Sequence, residues 1–332
     1  MASTGVATET PLPAPAPAKT LALTTLMKGL VDYAGLFPPA TLPMERAVAD
    51  FAQARRSPHS WALARFIVPM KRLGEFASIA APHLQSKESA AASKAPSAGW
   101  LVSVLIDGNL ESELEAIAAF NQQHEVAGAS SHKHVHIAEI DTLEIKVKIP
   151  EVIDEAVEVL PEELFPFFEL PIDSDFRGFA AALAGTGFGA KLRTGGTTAE
   201  LIPPPELVAD FLLAMHACEV PFKATAGLHH PVRGSSALTY EPGSPTSIMH
   251  GFANVFLAAC FVRHAGFDRK RTCGILAETN PGAFVFADAG VTFGTHTVTT
   301  EQIRDTRENF AICFGSCSFA EPVADCQKLG WF

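Results

Sequence analysis

Eight short apolar runs punctuate the chain, at residues 30–38, 64–69, 100–107, 136–146, 164–172, 189–194, 221–227 and 310–316. Each is too short for a core helix and is bounded by turn-forming residues, which predicts strands. Between most of them the apolar positions recur at helical spacing, over 44–54, 111–122, 151–159, 206–217 and 248–264. In 206–217, Leu207, Phe211 and Met215 recur every four residues with Ala214 beside them, so one helix face is apolar. Strand and helix alternating eight times predict an α/β fold whose parallel sheet closes into a (β/α)8 TIM barrel. Residues 274–300 break the alternation. There a hairpin over 283–291, turning at 288–290, predicts a small β insertion between the seventh helix and the eighth strand.

Composition sets the limits of this picture. Of 332 residues, 48% are hydrophobic and 18% charged, enough to bury a large core and to exclude global disorder. Residues 1–20 are rich in Ala, Pro and Thr and read as an extended or disordered tail, and 85–99 and 126–134 read as surface loops. The expected organisation is therefore a tail followed by one barrel domain over 21–332. A net charge of −11 argues against tracking a nucleic-acid backbone. A small-molecule substrate or a second copy of the chain is the expected partner, and low charge with 24 phenylalanines points to buried contacts in a homo-oligomer. No run of 18 apolar residues is present, so no membrane span is expected. The N-terminus lacks the pattern of a secretion signal, and the six cysteines form no C-x-x-C pair, so a reduced, cytoplasmic setting is expected.

The chemistry concentrates at two lysines. Lys191 lies in Gly-Ala-Lys-Leu-Arg-Thr-Gly-Gly and Lys223 in Phe-Lys-Ala-Thr-Ala-Gly, on consecutive predicted strands. The C-terminal strand ends of such a barrel carry its active site. A buried lysine is driven toward its neutral form by desolvation, and a second amine nearby adds like-charge repulsion. A neutral amine attacks a carbonyl and forms a Schiff base. The competing structural reading pairs each lysine with a carboxylate such as Glu169 or Asp173.

These segments resemble deoxyribose-phosphate aldolase, a class I aldolase barrel. Lys191-Leu-Arg-Thr194-Gly195 is similar to its K-x-x-T-G signature, and Lys223-Ala-Thr-Ala-Gly227-Leu to its seventh-strand K-x-x-G-G segment. Phe314-Gly-Ser316-Cys-Ser318 resembles its last-strand F-G-x-S-S, and Glu139-Ile-Asp141 its E-[IV]-D. The resemblance implies that Lys191 is the Schiff-base nucleophile and that Lys223 lowers its pKa. It also implies that Asp141 assists proton transfer and that Ser316 and Ser318 hold an anionic end of the substrate. Departures are plain: His229 stands where the family has arginine, Ala226 displaces the second glycine, and Leu192-Arg193 replace small polar residues. A changed substrate is therefore expected, a small carbonyl compound with or without a phosphate, in a reaction needing no cofactor or metal.

The same segments supply Thr194, Gly195, Gly196 and Gly227 as substrate-binding candidates, glycine allowing close backbone approach. Arg193 and Arg233 are candidate anion ligands, or else surface ion pairs. His229 is a candidate proton-transfer helper. His230 follows it, and adjacent strand residues point opposite ways. A metal-dependent barrel enzyme built on His229 and His230 is one alternative, and a catalytically silent ligand-binding or assembly barrel with both lysines locked in salt bridges is another. His132, His134 and His136 alternate but read as a solvated loop entering strand four. Cys317 precedes a predicted helix, where a thiolate is favoured, though a small buried residue is the simpler expectation. Ser318-Phe-Ala-Glu321 reads as a capping box. Asp32 and Asp107 end strands one and three, lining the mouth or starting turns. Gly185-Thr-Gly-Phe-Gly189 precedes a strand, the wrong order for a dinucleotide loop, and reads as a turn.

Overall fold

The computed structural model describes residues 20–87, 99–126 and 136–332. The tail of residues 1–19, most of the 85–99 loop, and His132 and His134 lie outside them. Each of the eight apolar runs contains a barrel strand: β1 (Val31–Tyr33), β2 (Leu63–Pro69), β3 (Trp100–Leu105), β4 (Ala138–Lys146), β5 (Phe165–Glu169), β6 (Gly189–Arg193), β7 (Phe222–Thr225) and, last in the chain, Ala311–Ser316. They pair in parallel and close, the last strand lying between β1 and β7. This is the (β/α)8 barrel that the alternation predicts.

The first run shortens to three strand residues because the chain then turns through Gly35 and the Pro38–Pro39 pair, and proline offers no ladder donor. Ala34, Phe37 and Pro38 instead line a cavity at the barrel mouth. In β4 the ladder skips a residue: Val102 pairs with Ile140 and Ser103 with Thr142, so Asp141 is the extra residue of a bulge.

Two β insertions leave the barrel. One is a hairpin, β8 (Gly234–Ala237) with β9 (Thr246–Met249), directly after β7. The predicted helix at 248–264 therefore begins later, at Phe252, with Gly251 at its N-cap. The other is the expected insertion, with one strand more than expected: β10 (Phe284–Ala287), β11 (Gly290–Phe293) and β12 (His296–Thr299) form a three-stranded antiparallel sheet. The last barrel strand, Ala311–Ser316, is thus β13.

Among the described residues the helices are α1 (Leu21–Met27), α2 (Met44–Arg55), α3 (Leu73–Ala80), α4 (Leu110–His124), α5 (Glu151–Val157), α6 (Phe176–Leu183), α7 (Pro205–Ala217), α8 (Phe252–Ala265), α9 (Arg269–Ala277), α10 (Thr300–Asn309) and α11 (Ala320–Lys328). Between α6 and β6, Gly185 and Gly187 adopt φ +75 and +79 in the expected turn. Every residue of α8 from Phe252 to Val262 is buried. Phe256 packs on Phe222 and Phe314 of the barrel, and Phe261 meets Phe293 of the three-stranded sheet. None of the 24 phenylalanines is among the exposed large hydrophobics, and most are buried in the core. Among the described residues no helix is long and apolar enough to cross a membrane, and all six cysteines are free.

Candidate active site

Lys191 and Lys223 are register partners on β6 and β7. Both are buried, at 3% and 0% exposure, where a bare ammonium would be untenable. Carboxylates answer each of them. Lys223 Nζ donates to Asp32 at 2.6 Å and to Glu144 Oε1 at 2.7 Å. Lys191 Nζ lies 2.5 Å from Glu144 Oε2 and 2.6 Å from Glu169 Oε2, and Arg193 reaches the other oxygen of Glu169 at 3.2 Å. The result is a row of alternating charge across the barrel: Asp32, Lys223, Glu144, Lys191, Glu169, Arg193.

The row sets its own protonation. Burial disfavours the Lys223 ammonium, but Asp32 and Glu144 hold it well above the usual lysine range. Burial likewise opposes the charge on Glu144, and the two lysines overcome this and hold it below the carboxylate range. Glu169 is lowered by Lys191 and Arg193 against its burial. Ser103 donates to Glu144 at 2.9 Å, and Cys313 to Asp32 at 3.1 Å, its thiol pushed up to about 12 by burial and by Asp32. The like-charge repulsion expected between the two amines is met by Glu144, which stands between them.

Lys191 opens onto a cavity of about 280 Å³ at the C-terminal ends of the strands. Glu144, Lys146, Glu169, Arg193, Thr225, His229 and Cys317 supply its polar wall, and Phe37, Ile67, Leu105 and Leu201 its apolar one. Lys223 does not line it. The two amines are thus stacked, one at the floor of the cavity and one beneath.

Other candidates are placed differently. Asp141 lies three residues closer to the barrel bottom than Glu144, where Arg65 grips both its oxygens at 2.7 and 2.6 Å. The carboxylates within reach of Lys191 are Glu144 and Glu169, not Asp141. Asp32 does not line the mouth or start a turn; it is fully buried and accepts from Lys223. Asp107 is an outer partner of Lys71 at 3.4 Å. Thr194 bolts the β6 and β7 loops together, donating to the carbonyls of Thr225 and Ala226. Gly195 and Gly227 are glycines because their backbones meet: a Cβ on Gly195 would lie 2.8 Å from Gly227 Cα. Gly196 lines the cavity. Ser316 Oγ donates to the Ser318 carbonyl and accepts from its N–H, closing a turn instead of cradling an anion. Ser318 Oγ caps the Glu321 N–H, but the Glu321 side chain completes no box and turns to His229 and Tyr240.

His229 lines the cavity, its Nδ1 3.3 Å from Glu321 Oε2 and 3.8 Å from Cys317 Sγ. Burial alone would lower its pKa, yet these partners push it up to about 9. His230 points elsewhere, to Asp325 at 2.5 Å. Arg233 packs on His250 at 3.3 Å and is not part of the cavity wall. The two imidazoles thus serve separate carboxylates, and among the described residues no cluster of three or more His, Cys, Asp or Glu is arranged to hold a metal ion.

Glu144 and Lys146 are the residues that sequence reasoning missed. Counting alternate positions along β4 from Asp141 puts Glu144 on the opposite face, and the bulge that corrects the count leaves no mark in the sequence. A scan of family models, a search of curated proteins and a search of solved structures each return no match for this chain.

Proposed function

We propose that the chain is an aldolase-like lyase, or a related Schiff-base enzyme, acting on a small carbonyl compound. The observation that carries this is the position of Lys191: a buried amine at the cavity floor, with Glu144 and Glu169 within 2.6 Å to take and return its proton. After proton loss the amine adds to the substrate carbonyl. The N–C bond forms, the C=O pair moves to oxygen, and loss of water leaves an iminium. That iminium draws the electrons of a neighbouring C–C or C–H bond, which is the bond an aldolase breaks. Lys223, bridging Asp32 and Glu144, fixes Glu144 from below. Lys146, Arg193 and His229 add positive charge to the wall in a protein whose net charge is −11, which favours an anionic substrate, phosphorylated or not.

Iminium formation acidifies the α-hydrogens, so the expected activity is deuterium exchange from solvent into short aldehydes, ketones and oxo acids, followed by NMR. Lys191→Met abolishes it. A panel in which no compound exchanges contradicts the proposal.

Two carboxylates on one ammonium also suit a noncovalent role, in which Lys191 stays charged and orients an anion. Exchange that persists without a covalent adduct favours that second assignment.

A further inference from the structure

The β8–β9 hairpin stands directly after β7, at the mouth of the barrel. Its tip is built, not loose: Leu238 donates to the Pro245 carbonyl, and Thr239 N–H to Ser244 Oγ, both at 2.9 Å. The tip carries Tyr240, whose hydroxyl donates to Glu321 Oε2 at 2.9 Å and lies 3.4 Å from Cys317 Sγ. The same Glu321 oxygen faces His229 Nδ1. Tyr240 is 54% exposed, whereas His229 is 8% exposed and lines the cavity. A chain of contacts therefore runs from solvent, through hairpin and helix, to the cavity wall.

We propose that the hairpin completes the active site: Tyr240 positions Glu321, Glu321 positions His229 through Nδ1, and His229 donates from Nε2 the proton that expels water from the adduct on Lys191. This rests on the Schiff-base assignment above. In the step, the Nε2–H bond breaks and its proton joins the adduct hydroxyl. The C–O bond breaks with its electron pair leaving in water, and the Lys191 nitrogen pair forms C=N. The contacts of His229 with Glu321 and Cys317 both fall on Nδ1, which leaves Nε2 as the nitrogen to donate to substrate. Charge on His229 is governed by Glu321 from α11 and Cys317 from the end of β13. His230 stands beside it with its ring 6.5 Å away, tied to Asp325, and Lys146, Lys191, Arg193 and Glu169 share the cavity. The Tyr240 phenol is kept protonated by burial, Cys317 and Glu321, so it remains a donor to the carboxylate.

The test pairs two readouts on Glu321→Gln and Tyr240→Phe. One is the His229 titration by NMR in the uncomplexed protein. The other is the pH dependence of imine formation with a small aldehyde that labels the wild type. Glu321→Gln is expected to lower the His229 midpoint by more than one pH unit and to move the alkaline limb of imine formation down by the same amount. Tyr240→Phe, which keeps the ring, is expected to slow imine formation several-fold with little change in KM. A wild-type imine whose alkaline limb and His229 midpoint ignore Glu321→Gln overturns this inference alone, as does an unchanged rate in Tyr240→Phe. Failure of the wild type to form any imine overturns the Schiff-base assignment, and the acid role with it.

Discussion

Glu144 is the carboxylate on which the barrel interior depends, since among the described residues it alone touches both lysines. Removing one partner of a buried ion pair leaves an uncompensated charge, which typically costs about 3–5 kcal/mol. Glu144→Gln is therefore expected to lower unfolding stability by about that much, read as a fall in denaturant midpoint at constant slope. A loss below about 1 kcal/mol would contradict the network. His229 gives a second prediction at this scale. Its folded pKa, about 9, lies above the ordinary 6.5, so its stabilisation is fully present below pH 6.5 and is lost as pH rises through about 9. Glu144 and Glu169 are depressed, so theirs is present above the ordinary carboxylate range and lost as pH falls. Melting temperatures should decline between pH 6.5 and 9, and Glu321→Gln should flatten that decline; an unchanged slope contradicts it. The two lysines were legible in the sequence because each charged residue stands in an apolar run. The carboxylates they bind were legible only in part: Glu169 as the charged residue within the 164–172 run, Glu144 not at all. Ser316, Ser318, Thr194 and Gly195 fit motif patterns, yet their bonds close turns and loops around the cavity.

The elements divide by how strongly periodicity marked them. The amphipathic helices α2 and α7 emerged within a residue of their observed ends, and α4 and α5 within two. The β8–β9 hairpin did not emerge, because its strands alternate between partly buried and exposed positions without an apolar face and its tip is rich in Gly, Pro and Ser. Helix α8 is apolar on all sides, so its burial pattern carried no phase, and its start was misplaced where the hairpin ends. Its packing gives a test: Phe256 is fully buried between Phe222 and Phe314, and Phe256→Ala should cost about 3–5 kcal/mol. A cost under about 1 kcal/mol would mean that α8 is not clamped between barrel and sheet. Arg307 of α10 shows how the elements are tied at the other end. Its guanidinium donates to the carbonyls of Leu26, Lys28, Gly29, Ala311 and Ile312. It thereby joins α1 and the start of β1 to β13, and burial lowers its pKa to about 10. Lysine offers neither the planar fork nor the five donors.

At the scale of the whole molecule, the barrel was legible because strand and helix periods alternate along nearly the entire chain, and a parallel sheet of eight units has one common way to close. The site's location followed from the fold, since the cavity lies at the C-terminal strand ends. Its charge did not follow from composition: in an acidic chain the wall sets Lys146, Lys191, Arg193 and His229 against Glu144 and Glu169. Screening should therefore raise KM for an anionic carbonyl substrate as salt increases and leave a neutral one unchanged, a contrast that steady-state or exchange kinetics can read. The proposed chemistry rests on Lys191 as the nucleophile and Lys223 as its buried support. Borohydride reduction in the presence of short aldehydes and ketones, followed by peptide mass mapping, tests it most directly. A reduced adduct is expected on Lys191 and none on Lys223; a panel that leaves Lys191 unlabelled, or labels Lys223 instead, overturns the proposal.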